Sequence, residues 1–169
     1  PSSWKYSLEP ALFDEHLDFL TSKGYVSLTL SEYAHREGLA LSTKPIILTF
    51  NGGFKNLEHI LPILQKYHCK ATFFIATAYV GQKSHWLTQP LTLLDWEALR
   101  DLNQSGMEIG SHGHEHLQLD VVPDVLARHD INYSKVLIED KIGRSCTSFA
   151  YPYGYQNIPI KELVRNAGF

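Results

Sequence analysis

The chain has 169 residues, 44% of them hydrophobic and 12% aromatic, which is enough apolar material for one well-buried domain and too little for two of ordinary size. Lys and Arg number 15 against 18 Asp and Glu, for a net charge of −3, and no window interleaves basic with aromatic residues, so a nucleic-acid footprint is missing. The longest apolar stretches, such as Ile46 to Phe50 and Ala71 to Ala76, fall far short of the roughly 20 residues that span a bilayer.

Pro10 sits where a first helical turn tolerates it, and Leu12, Phe13, Leu17 and Leu20 recur at helical spacing until Gly24, which predicts an amphipathic helix. Tyr25 to Leu28 reads as a short strand, and a second small helix covers Leu30 to Arg36 before Gly38. After Pro45 the run Ile46 to Phe50 lacks alternation and stops at Asn51-Gly52-Gly53, as expected of a parallel strand buried on both faces. Leu57, Ile60, Leu61, Leu64 and Tyr67 mark a helix, and Ala71 to Thr77 is β-branched and aromatic, a strand. Asp95 is placed to cap a helix carrying Trp96, Leu99 and Leu102, and Met107 to Ser111 is the next strand. A long helical pattern from about Pro123 to Ile142 ends at Gly143, followed by a strand at Thr147 to Tyr151 and a helix at Ile160 to Asn166.

Such alternation predicts a single α/β domain, either an open doubly wound sheet or a barrel, with too few strands here to close eight. In both architectures chemistry gathers beyond the C-terminal ends of the strands. The two cysteines, Cys69 and Cys146, have no C-x-x-C neighbour; they read as small apolar residues, with a disulfide left open. Pro1-Ser2-Ser3-Trp4 carries no targeting pattern, which decides nothing about a leader upstream.

Three strand-end loops stand out. After Met107 to Ser111 comes His112-Gly113-His114-Glu115-His116, three histidines and one carboxylate in five residues. Imidazole is a common ligand of zinc, and His112 and His116, four apart, fall on one side of a helical turn; the competing reading is a solvated His-rich loop. A metalloprotease H-E-x-x-H does not fit, since Glu115 directly precedes His116. The second loop, Thr49 to Phe54, carries two successive glycines, and the third, Phe149 to Gly154, is an aromatic turn.

In this order the three loops resemble the polysaccharide deacetylases of carbohydrate esterase family four, the NodB homology domain. Thr49 to Phe54 is similar to that family's T-F-D-D-G-[YF] loop, Ile109 to Leu117 to its histidine stretch, and Phe149 to Gly154 to its F-[RA]-x-P-[YF]-G turn. Lys70 to Ile75 and Glu162 to Phe169 also share the family's look, so the resemblance runs from near Pro10 to the end. It implies a distorted (β/α) barrel of the glycoside hydrolase and deacetylase type, incomplete in this chain. It further implies a divalent metal, zinc first, held by one Asp and two His, with a second Asp as general base toward an acetyl group on a sugar polymer. Carried over residue by residue, His112 and His116 are the expected metal ligands and the backbone N–H of Tyr153 the oxyanion donor. Phe54, Tyr151 and Pro152 are the expected substrate contacts, in an aromatic wall that also takes in Trp86 and Tyr153.

The pattern breaks at two positions. Asn51 stands where the family has its base, and Gly52 where it has its metal carboxylate. An amide takes no proton at neutral pH, and glycine offers no ligand, so a metal is expected to be weakly held if at all. Ala150 stands where the family turn often has an Arg that pairs with the base. The first barrel strand and a later L-x-H stretch with a general-acid His are not among these residues, so the rest of a longer chain or a partner is expected to complete the barrel. Two functions follow: a metal-dependent hydrolase acting on acetylated polysaccharide or peptidoglycan, impaired at Asn51 and Gly52, or a non-catalytic relative that binds carbohydrate or a partner. The resemblance places either one in the periplasm, at the cell surface or outside the cell.

Overall fold

The computed structural model describes residues 8–35 and 44–169. Helix α1 (Pro10–Ser22) starts on its proline and buries Phe13 and Leu17, as their spacing requires. Strand β1 (Tyr25–Leu28) leads into α2 (Leu30–His35); Arg36 and Gly38 lie outside the described residues.

The run read as one doubly buried strand is two short ones, β2 (Lys44–Ile47) and β3 (Thr49–Asn51), split at Leu48 and only partly covered. The first half pairs in parallel with β1 and the second with β4 (Thr72–Ile75), while the Leu48 carbonyl accepts from Thr72 N. The chain thus changes neighbour midway, and each half has a partner on one side only among the described residues, which is why it is not buried as a central strand would be. Strand β4 is fully buried and pairs on its other side with β5 (Glu108–Ser111), again in parallel.

The helix expected over Leu57 to Tyr67 is broken into a 3-10 turn (Lys55–His59) and α3 (Leu61–Lys66), because Pro62 fits only a first turn. Helix α4 (Trp96–Gln104) begins as predicted on Asp95, whose side chain accepts from Ala98 N. Helix α5 (Asp124–Ile142) ends on Gly143 in the left-handed region, and α6 (Ile158–Asn166) starts two residues earlier than its apolar pattern suggested, capped by Asn157. The segment at Thr147 to Tyr151 is not a strand. It runs beside β5 and makes one parallel bridge, Ser111 to Phe149.

Helices α1, α3, α4 and α5 cover one core around Leu17, Leu64, Phe73, Ile75, Leu99 and Ile138, where Phe50 stacks on Phe73 at 5.0 Å. A second cluster around Leu119, Ile131 and Ile160 joins α5 to α6. Cys69 and Cys146 are both free and buried in the first core. No helix among the described residues is long and apolar enough to cross a membrane.

Candidate functional site

His112 continues the β4–β5 ladder past its last residue, its N–H donating to Ile75 O at 2.9 Å. Its ring Nδ1 lies 2.8 Å from the carbonyl of Ala150. A carbonyl only accepts, so Nδ1 carries the proton and Nε2 keeps its lone pair. His116 reaches the same place by another route. The 112–116 segment is not a helical turn, as the four-residue spacing suggested, but a bent loop with positive φ at Gly113 and His116. The bend still brings the two rings edge to face, 4.7 Å between centroids.

Asp130 holds the bend. It is 2% exposed on α5, its Oδ1 accepts from Glu115 N at 2.6 Å, and its Oδ2 stands so close under Gly113 that a Cβ there would fall 2.3 Å away. Burial pushes its carboxyl above the usual range, against the lowering pull of the Glu115 and His114 amides. The sequence gives no warning of this role, because one acid in a long amphipathic helix reads as surface. His114 turns away to Thr77 and Tyr133, and Glu115 is exposed, so neither joins the pair.

A wall of rings closes over His116. Trp86 stacks on it at 4.0 Å, Tyr153 meets it edge-on at 4.8 Å, and Tyr79 and His85 pack against Trp86. Trp86 is delivered by the strap between β4 and α4. That strap is tied to itself by Lys83 and Thr92, and to the second loop by the Phe54–Leu93 bridge and by Leu94 N to Gly53 O at 2.8 Å. Phe54 is buried with its ring 6.2 Å from Trp86. Tyr153 rides a 3-10 turn (Pro152–Gly154) with φ of 61° and is half exposed, Pro152 is buried, and Tyr151 packs on Phe149.

Burial sets the protonation of the pair. It pushes His116 down to about 3, with His112 and His85 adding to the shift, and it lowers His112 against the opposing Ala150 bond. Both rings are neutral at physiological pH, and His116 Nδ1 is buried with no hydrogen-bond partner. Two neutral nitrogen donors suit a divalent ion, but the rest of the donor set does not. Among the described residues no third His, Cys, Asp or Glu joins them. Asn51 ends β3 and is exposed; it lies two strands from His112, across β4, and is level with Gly110, two residues short of His112. Gly52 is buried at φ of +93°, and a Cβ on it would stand 2.5 Å from the Phe54 ring. The position where the resemblance calls for a carboxylate is therefore filled by an aromatic edge, and the residues present do not make a complete site for a dication.

A cavity of about 430 Å³ lies elsewhere, lined by Leu30, Ser31, Thr147, Ser148, Phe149 and Phe169. Leu30 N and Ser31 N bond to Thr72 and Glu108, the first residues of β4 and β5, so this cavity marks the opposite end of the strands.

The family model for polysaccharide deacetylase matches residues 39–169. The chain belongs to the polysaccharide deacetylase family. The Bacillus subtilis protein named "Putative polysaccharide deacetylase YxkH" is 28% identical over 160 residues, 93% of this chain and 54% of its own length. The poly-β-1,6-N-acetyl-D-glucosamine N-deacetylase of Staphylococcus aureus is 24% identical, across 96% of this chain and 59% of its own length. Among solved structures, IcaB from Ammonifex degensii superposes with a TM-score of 0.89 at 26% identity, over the whole of this chain and 76% of that one. The fold is accordingly the distorted (β/α) barrel of the deacetylases, incomplete in this chain, which spans between half and two thirds of the length of the curated relatives it matches.

Proposed function

We propose that this chain is a deacetylase-type domain that binds N- or O-acetylated polysaccharide across the strand ends and hydrolyses it poorly. The observation that supports the reading is one juxtaposition. Two buried, neutral imidazoles sit beneath an aromatic wall, beside a loop whose base and ligand positions are Asn51 and Gly52.

Each residue has a definite capacity. Trp86 and Tyr153 offer apolar faces against which a sugar ring packs, while Phe54, expected as a substrate contact, is buried beside Trp86 and backs the wall. His112, fixed by Ala150, presents Nε2 as an acceptor. Asn51 orients a water or an acetyl oxygen through its amide but removes no proton. The Tyr153 N–H is the oxyanion donor of this reading. A bound divalent ion would polarise the acetyl carbonyl and make water more acidic; zinc would be held weakly by His112 and His116, with no carboxylate to offset its charge. The S. aureus relative is named for poly-N-acetylglucosamine, and a polymer of that class, or acetylated peptidoglycan, is the substrate proposed here. Such polymers lie outside the cytoplasm, and the periplasm, cell surface or exterior is the proposed place of work.

A second reading, binding without turnover, is favoured by the Phe54 ring that stands in the space of a ligand at position 52. Acetate release from N-acetylglucosamine oligomers, measured with added zinc for the parent and for Asn51→Asp with Gly52→Asp, separates the two. Slow release that the reversion accelerates supports the impaired hydrolase. Tight oligomer binding with no release from either protein supports the binding module.

A further inference from the structure

Asn51 is followed by a glycine, and that pair has a chemistry of its own. The side-chain Cγ of an asparagine is electrophilic, and the backbone nitrogen of the next residue is the nucleophile within its reach. A side chain on that next residue hinders the approach, and glycine has none. Asn51 ends β3, is exposed, and no hydrogen bond ties its carboxamide among the described residues. Its side chain is therefore able to turn toward Gly52. One restraint opposes the reaction: Gly52 N donates to Phe74 O at 2.9 Å, the last rung between β3 and β4. Among the described residues strand β3 is the edge of its three-stranded sheet, and a terminal rung at an edge opens more readily than one inside a sheet.

We propose that Asn51 is a site of spontaneous deamidation, gated by opening of the Gly52–Phe74 rung. Gly52 N loses its proton and bonds to Asn51 Cγ as the Cγ–Nδ2 bond breaks and ammonia leaves, giving a succinimide. Water then opens the ring. Attack at Cγ breaks the new C–N bond and leaves aspartate; attack at the main-chain carbonyl breaks the original peptide C–N bond and leaves isoaspartate. In total one water enters and one ammonia leaves, with no change of oxidation state. The aspartate branch keeps the backbone of β3 and puts a carboxylate at the position proposed above for the general base. The isoaspartate branch inserts a carbon into the backbone and breaks the register of the rung. The consequence for the base rests on the proposed function; the modification does not.

The test incubates the folded chain in heavy-oxygen water at mildly alkaline and mildly acidic pH, then weighs the proteolytic peptide that contains Asn51. Expected is the mass gain of an amide becoming an acid with the heavy isotope incorporated, faster at the alkaline pH, and complete loss of the conversion in Asn51→Gln. Isoaspartate is counted by enzymatic methylation, and the chain unfolded in urea at the same pH is the reference. A folded chain whose Asn51 stays an amide while the unfolded chain converts overturns the inference. Conversion to aspartate with no rise in acetate release leaves the modification standing and removes the base role of position 51.

Discussion

Trp86 lies flat on His116, the ring centroids 4.0 Å apart and the planes 9° from parallel. The indole covers one face of an imidazole that burial has pushed down to about 3. Replacing it should readmit water. In Trp86→Ala the His116 pKa is expected to rise toward its ordinary 6.5, stopping short of it because His112 and His85 still repel the charged form. Titration of the imidazole resonances by NMR reads this directly, and an unmoved His116 would show that the indole is not its desolvating cover.

Acid should unfold the protein from the histidine side first. In the unfolded chain His112 and His116 take up a proton near 6.5, while in the fold both are held below that value. Above 6.5 both states are neutral and the pair is without effect. As pH falls from 6.5 toward about 3 the unfolded state binds more protons, so stability declines through that window. Asp130, raised by burial, works in the opposite sense: its protonation adds stability as pH falls through its raised value, and that gain is complete below the ordinary 3.8. Urea midpoints should fall progressively below pH 6.5 in the parent and less steeply in His116→Phe.

Much of this was legible in the residues, for reasons that differ element by element. Strand β1, α1, α4 and α5 carry their own start or stop signals, Pro10, Asp95 and Gly143 among them, and these are local. The division of 44–51 into β2 and β3 is not local: it depends on which neighbour each half meets, and nothing in Ile46 to Phe50 records that. The extended segment at 147–151 has strand-like residues but lacks a second ladder partner among the described residues, so it stays a bridge. His112 and His116 were visible as a pair, while the loop geometry that joins them depends on Asp130, a residue distant in sequence.

The two departures in the second loop should differ sharply when reversed. Asn51 is exposed, so Asn51→Asp is expected to leave the urea midpoint nearly unchanged. Gly52→Asp must hold a side chain at φ of +93° and displace the Phe54 ring, at a cost of about 1–3 kcal/mol. Equal stability for the two variants would mean that Phe54 moves aside freely.

Gly113→Ala tests the support under the histidine loop. Its φ of +77° and the Asp130 oxygen 2.3 Å from the added Cβ should together cost about 1–3 kcal/mol in urea denaturation. A neutral result would mean that Asp130 is not packed beneath the loop.

In the proposed reading, His112 and His116 are two ligands of a metal site whose carboxylate positions hold Asn51 and Gly52. Calorimetric titration of the metal-free chain with zinc, beside the same chain carrying Asn51→Asp and Gly52→Asp, tests it most directly. Expected are weak binding by the parent, abolished in His112→Ala, and tighter binding by the double variant. Stoichiometric zinc that survives gel filtration of the parent, with brisk acetate release from N-acetylglucosamine oligomers, would contradict it.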